Sequence, residues 1–112
     1  MNLLLTGSSS GIGRALAERL LVRGHRVGGL ARSDQADFAA RNPNFRTARC
    51  DVAEWKEVAR AAAEVATAWG QIDGLIACAG IQGEVGPALS ADPEKWSATV
   101  RTNLDGTYFA IR

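Results

Sequence analysis

The residues best suited to chemistry stand near the front of the chain. Thr6-Gly7-Ser8-Ser9-Ser10-Gly11-Ile12-Gly13 sets three glycines and three serines between a short apolar run, Asn2 to Leu5, and a stretch with helical spacing. A strand that feeds a glycine turn and then a helix makes an anion site, because unpaired amide N–H groups and the positive end of the helix dipole converge there. Gly7 supplies backbone angles closed to other residues, Gly11 leaves room for a diphosphate to reach the main chain, and Gly13 lets helix and strand approach closely. The three serines add hydroxyl donors, and Arg14 either supports an anion or faces solvent. The spacing is not the GxGxxG fingerprint, and it lacks the Gly-Lys-Ser/Thr ending of a Walker phosphate loop. Its value comes from its place between strand and helix.

Elsewhere reactive side chains are sparse. With only Cys50 and Cys78, neither a disulfide framework nor a metal cluster is indicated, and a reducing cytoplasm fits best. Cys78 reads as a small buried residue ahead of a reactive thiol. The single histidine, His25, follows Gly24 at a helix end and supports neither a triad nor a multi-histidine site. Thirteen basic and twelve acidic residues balance to a formal charge of +1, which offers no footprint for nucleic acid or an anionic membrane. No apolar run approaches the ~20 residues that span a bilayer.

Alternating strands and helices must position these groups. After the glycine turn, Ile12, Ala15, Leu16 and Leu20 recur on one helical face before Gly24. Arg26 to Ala31 reads as a strand whose Gly28-Gly29 pair permits close packing. Asp34 to Arg41 suits a short helix ended by Asn42-Pro43, and Phe45 to Cys50 a third strand leading into Asp51. The clearest helix carries Trp55, Val58, Ala59, Ala62, Val65, Ala66 and Trp69 as one apolar stripe, with both tryptophans expected in the core. Leu75 to Ala79 is a fourth strand, and a loop with Gly80, Gly83, Gly86 and Pro87 follows. Asp92-Pro93-Glu94 combines a cap, a proline at the first helical position and an early acid. The pattern then stays helical through Asn103 to Arg112, with Gly106 a weak point. Such alternation predicts right-handed βαβ units, hence an α/β fold: a Rossmann-like, doubly wound parallel sheet over residues 1–112, cut short after about four strands. The chain stops at Tyr108-Phe109-Ala110-Ile111-Arg112 in what reads as mid-helix, so it is expected to be the front part of a longer domain.

Several segments in order resemble the short-chain dehydrogenases/reductases. Thr6-Gly-x-x-x-Gly-Ile-Gly13 is similar to that family's cofactor motif, Asp51-Val52 to its adenine-contacting pair, and Thr102-Asn103-Leu104 to the segment with its catalytic asparagine. Asp73-Gly74-Leu75-Ile76 leading to Ala79-Gly80 resembles the segment ending in Asn-Asn-Ala-Gly. Ala77 and Cys78 replace the two asparagines, which removes amides that stabilise the central strand in the family. The resemblance covers essentially the whole chain. It implies a cofactor site built from Gly7, Ser9, Ser10, Gly11, Ile12, Gly13, Arg32, Asp51, Val52, Cys78, Ala79 and Gly80.

Cofactor choice turns on the end of the second strand. An acid there binds a ribose 2′-hydroxyl, and a nearby arginine accommodates a 2′-phosphate. Ala31 takes the acid position and Arg32 follows, with Ser33 adding a hydroxyl, so NADP(H) is favoured. Asp34 keeps NAD as the alternative. The resemblance further implies an oxidoreductase that moves hydride between NADP(H) and a carbonyl or alcohol substrate. Its serine and Tyr-x-x-x-Lys pair would lie beyond Arg112, leaving Asn103, which helps hold a proton-relay water, as the one catalytic residue present. Tyr108 and Arg112 have the right spacing but fall too early in the fold, and Tyr108 is expected to pack. Gln82, Gly83 and Glu84 either face substrate or form plain surface. The intact enzyme is expected to be a homo-oligomer paired through the helix starting near Asp92. A redox-inactive nucleotide-binding or interaction module is the competing reading, and the 112-residue chain alone is expected to be inactive in either case.

Overall fold

Asn2–Thr6 forms strand β1, and its neighbouring leucines go to opposite sides. Leu4 enters one hydrophobic cluster and Leu5 another, as the two-residue period of a strand requires. A sheet with two apolar faces must be covered twice, and the rest of the chain does this. The computed structural model describes residues 1–112. Helix α1 (Gly11–Val22) leads to β2 (Arg26–Ala31), α2 (Ala36–Arg41) to β3 (Phe45–Arg49), and α3 (Trp55–Trp69) to β4 (Gly74–Ala77). The four strands are parallel, in the order β3-β2-β1-β4. Ala17 of α1 and Phe38 of α2 pack with Leu5, Val27 and Phe45 on one face. Val58, Ala61 and Val65 of α3 cover Leu4, Leu30 and Ala48 on the other. The Rossmann-like, doubly wound expectation holds.

The glycine pair in β2 works as anticipated, once toward each face. A Cβ on Gly28 would lie 2.7 Å from Val65 Cγ1, and one on Gly29 would lie 2.6 Å from Ser8 Oγ and strike the Phe45 ring. Helix α3 and the glycine turn therefore sit closer to the sheet than any side chain would allow.

Two helices bury faces that match the expected ones only in part. In α1, Ile12 is 81% exposed and Ala15 is also exposed, while Gly13 and Ala17 are buried and Leu16, Leu20 and Leu21 pack beside them. The contact of Gly13 with the turn sets the helix rotation, and at ~100° per residue Ile12 then faces away from the sheet. In α3 the inner stripe is Val58, Ala61 and Val65, flanked by Ala62 and Trp69. Trp55, at the first position of the helix, is 46% exposed, with the Lys56 and Arg112 cations 5.8 and 5.5 Å from its ring centre. Only Trp69 of the two tryptophans joins the core. Strand β4 also ends at Ala77, two residues early, because the chain there turns to meet the glycine bend.

Asp92 caps helix α4 (Pro93–Val100) as its sequence suggests, Oδ1 accepting from Glu94 N–H at 2.9 Å. The helical path then continues without a break, but Arg101–Asp105 forms a π turn before α5 (Gly106–Ile111). The irregularity thus precedes Gly106, which is itself buried against Val52. Tyr108 does not pack inward; it is exposed, with its ring 5.8 Å from that of Phe109. No helix is long and apolar enough to cross a membrane.

Candidate functional site

In a parallel sheet, ligands bind beyond the carboxyl ends of the strands, at the point where the strand order reverses. Here that point lies between β1 and β4, and a cleft of about 370 Å³ opens over it. One wall is the turn from Thr6 to Gly13. The Gly7 N–H extends the ladder by donating to Leu30 O at 2.8 Å, and Thr6 Oγ1 accepts from Ala79 N–H at 3.1 Å. Gly7 has φ +71°, and a Cβ on it would lie 2.7 Å from Ala79 N. The turn is thereby sewn to both neighbouring strands.

Helix α1 starts at Gly11 with Ser10 extended before it, no side-chain cap and no acid in its first turn. The first amides of a helix have no intrahelical acceptor, so those of Gly11, Ile12 and Gly13 remain available to an anion. Gly11 has φ +53°, and a Cβ there would project into open space. Gly13, by contrast, lies directly against the Gly7 carbonyl. The two glycines have different duties: one keeps the cleft empty and the other fixes the helix.

The structure brings all twelve expected cofactor residues to the lining of this one cleft: Gly7, Ser9, Ser10, Gly11, Ile12, Gly13, Arg32, Asp51, Val52, Cys78, Ala79 and Gly80. Asn103 stands just behind it. Its Oδ1 accepts from Ile81 N–H and its Nδ2 donates to Ile81 O, each at 2.8 Å, so its side chain clamps the loop after β4. Its own carbonyl accepts from Thr107 Oγ1 at 2.8 Å. Together with the Thr6–Ala79 bond, this clamp ties down the segment whose two asparagines are replaced by Ala77 and Cys78.

Three polar side chains that the sequence left open to a ligand role are engaged elsewhere. Ser8 is fully buried and its hydroxyl accepts from Gln35 Nε2 at 3.0 Å, which leaves Ser9 and Ser10 as the two serines of this turn that line the cleft. Arg14 lies 3.5 Å from the centre of the Phe38 ring and pairs with Glu18 at 3.0 Å, stapling α1 to α2 instead of holding an anion. Glu84 accepts from Asp92 N–H at 2.8 Å and from Lys95 Nζ at 3.2 Å, so it is a brace for α4. Thr102 and Ile81, outside the twelve, also line the cleft. The π turn is what carries Thr102 there alongside Asn103, and a period of 3.6 gives no hint of it.

At the β2 end, Arg32 is exposed and has neither a hydrogen bond nor an ion pair to the protein. Asp34 is turned back, its Oδ1 accepting from Ala36 N–H at 2.9 Å, and it does not line the cleft. Asp51 caps its own turn through Ala53 N–H at 2.9 Å and keeps Oδ2 without a protein partner.

The two thiols differ in environment. Cys50 is buried, and that burial, reinforced by the Glu57 and Asp51 carboxylates and opposed by Arg60, pushes its pKa up to about 11. Cys78 is half-buried on the cleft wall. Alkylation at neutral pH is therefore expected to modify Cys78 and spare Cys50, as peptide mass mapping would show. Because folding raises the Cys50 pKa from 9.0, its protonated form stabilises the fold fully below pH 9, and this is lost as pH rises through about 11. A Cys50→Ala chain should not show that alkaline loss in a denaturant titration.

Comparison with known proteins follows the same lines. The family model described as short chain dehydrogenase matches residues 2–112. A relative from Aspergillus terreus, the short chain dehydrogenase tazN, is 34% identical over 99% of this chain and 26% of its own length. The 3-ketoacyl-ACP reductase of Sinorhizobium meliloti superposes with a TM-score of 0.94 at 30% identity, covering 99% of this chain and 46% of that enzyme. The closed form of serine dehydrogenase complexed with NADP+ superposes at 0.93 with 27% identity, over 100% of this chain and 46% of the other. The chain thus spans under half the length of each of these proteins.

Proposed function

The chain belongs to the short-chain dehydrogenase family, and from that premise we propose that it is the cofactor-binding part of an NADP(H)-preferring oxidoreductase acting on a carbonyl or alcohol substrate. The observation that carries the reading is the unpaired Arg32 at the cleft edge beside Ala31, with Asp34 tied back to Ala36. A guanidinium without a partner attracts a phosphate dianion, and its fork geometry holds two oxygens at once.

The residues present fit the dinucleotide. The amides of Gly11, Ile12 and Gly13, with Ser9 and Ser10, take the diphosphate, and Arg32 and Ser33 take the 2′-phosphate. Asp51 and Val52 border the adenine, while Cys78, Ala79 and Gly80 border the ribose at the nicotinamide end. When bound, the nicotinamide supplies the hydride donor or acceptor. Asn103 positions Ile81 beside that end, and its carbonyl, which has a second lone pair beyond the one given to Thr107, holds the relay water. The family's serine and Tyr-x-x-x-Lys pair do not occur among these 112 residues, so the chain alone is expected to bind cofactor with negligible turnover. The exposed Trp96 and Leu104 on the α4 side supply apolar surface for a homo-oligomeric contact in the intact enzyme.

Titration of the purified chain with NADPH and NADH tests the reading. Arg32→Ala is expected to weaken NADPH binding about tenfold and NADH binding less than about twofold, the difference a charge-assisted phosphate contact makes. Equal losses for the two cofactors would remove the basis for the NADP assignment.

A further inference from the structure

Strand β3 places a second arginine at the phosphate end of the cleft. In the parallel pairing of β2 with β3, Ala31 is the register partner of Arg49. Register partners on adjacent strands project from the same face, about 4.8 Å apart. The side chain standing next to the small residue at the acid position is therefore a guanidinium. Arg32 and Arg49 line one depression, which shares Arg32, Cys50 and Asp51 with the main cleft. Neither arginine has an ion pair or a side-chain hydrogen bond.

The other charges around the depression are already engaged. Arg60 pairs with Glu64 at 2.6 Å and donates to Arg49 O at 2.8 Å. Glu57 accepts from Asp51 N–H at 2.8 Å, and Asp51 caps its own turn. Two free cations on either side of Ala31 leave a local positive excess in a chain whose total charge is only +1.

We propose that Arg49 is a second specificity-determining residue, closing on the ribose 2′-phosphate from the β3 side while Arg32 closes from the β2 side. This rests on the NADP reading above and extends it to a residue on another strand. Because Arg49 is exposed and its backbone is held by the sheet and by Arg60, its side chain can be exchanged without loss of the fold.

The test is calorimetric titration of the 112-residue chain with adenosine 2′,5′-bisphosphate and with 5′-AMP. Arg49→Ala is expected to weaken bisphosphate binding about tenfold and 5′-AMP binding less than about twofold, with Arg49→Lys between wild type and Arg49→Ala. Arg46→Ala, three residues earlier and so on the opposite face of β3, is expected to change neither. Equal weakening for both ligands, or no change, would overturn the proposal. The two readings fail differently. A wild-type chain without preference for the bisphosphate removes both. A preference that survives Arg49→Ala but vanishes in Arg32→Ala removes only the role of Arg49.

Discussion

Gly13→Ala is expected to lower NADPH affinity by at least about a hundredfold, a loss of ~3 kcal/mol. The new methyl would fall on the Gly7 carbonyl, with Ser8 N 3.3 Å away, so main chain meets main chain and no rotamer relieves it. Helix α1 must retreat, and the amides of Gly11 and Ile12 move with it. Stability should suffer less than binding. Overpacking costs ~1–3 kcal/mol, and alanine returns ~1 kcal/mol by its better helix propensity. The expected signature is a melting temperature lowered by several degrees beside a nearly complete loss of binding. Affinity preserved within about threefold would mean that the diphosphate does not rest on this turn.

Gly106→Val is expected to act the other way round, through the fold first. A Cβ at Gly106 would lie 2.8 Å from Val52 Cγ2 and 3.2 Å from Val52 O. Alanine there sets ~1 kcal/mol of helix propensity against a comparable packing cost, so its net effect is small. Valine adds two further methyls to a buried site and should cost ~2–4 kcal/mol, seen as a fall in the denaturation midpoint at unchanged slope. Because Val52 also lines the cleft, at the end proposed for adenine, 5′-AMP binding should weaken too. A variant as stable as wild type would show that α5 does not rest on Val52.

What was legible in the sequence follows from what each signal encodes. Three-leucine and Val-Gly-Gly-Leu runs bounded by turn residues suit buried strands, and their alternation with helical stretches made the four-stranded parallel sheet readable. The Asp92 cap was readable because its chemistry is local. Helical rotation was not. In α1 the apolar residues Ile12 and Ala15 are indistinguishable by type from Leu16 and Leu20; what turns Ile12 outward is a backbone contact between Gly13 and Gly7. Trp55 is as apolar as Trp69, yet its position at the first turn of α3 leaves half of it in water. At the cleft, glycines and charges at strand ends were visible because their roles depend on the main chain. Three consecutive serines give no sign that the first of them, Ser8, has a buried partner 27 positions later.

The π turn at Arg101–Asp105 has a consequence for how this segment can change in evolution. A π turn holds one residue more than an α turn, so it is equivalent to a single insertion absorbed within a helix. The residues before and after it are therefore out of phase by ~100° relative to one continuous α-helix. Removing one residue between 101 and 105 would restore plain α-helix and leave everything downstream facing as it does now, whereas forcing the turn to α pitch at its present length would spin everything downstream by that angle. In that second case Gly106 would leave Val52, and a bulkier neighbour would arrive in its place. A one-residue deletion here is therefore the length change the fold can absorb, while Thr102 and Asn103 stay bound to the cleft by their own contacts.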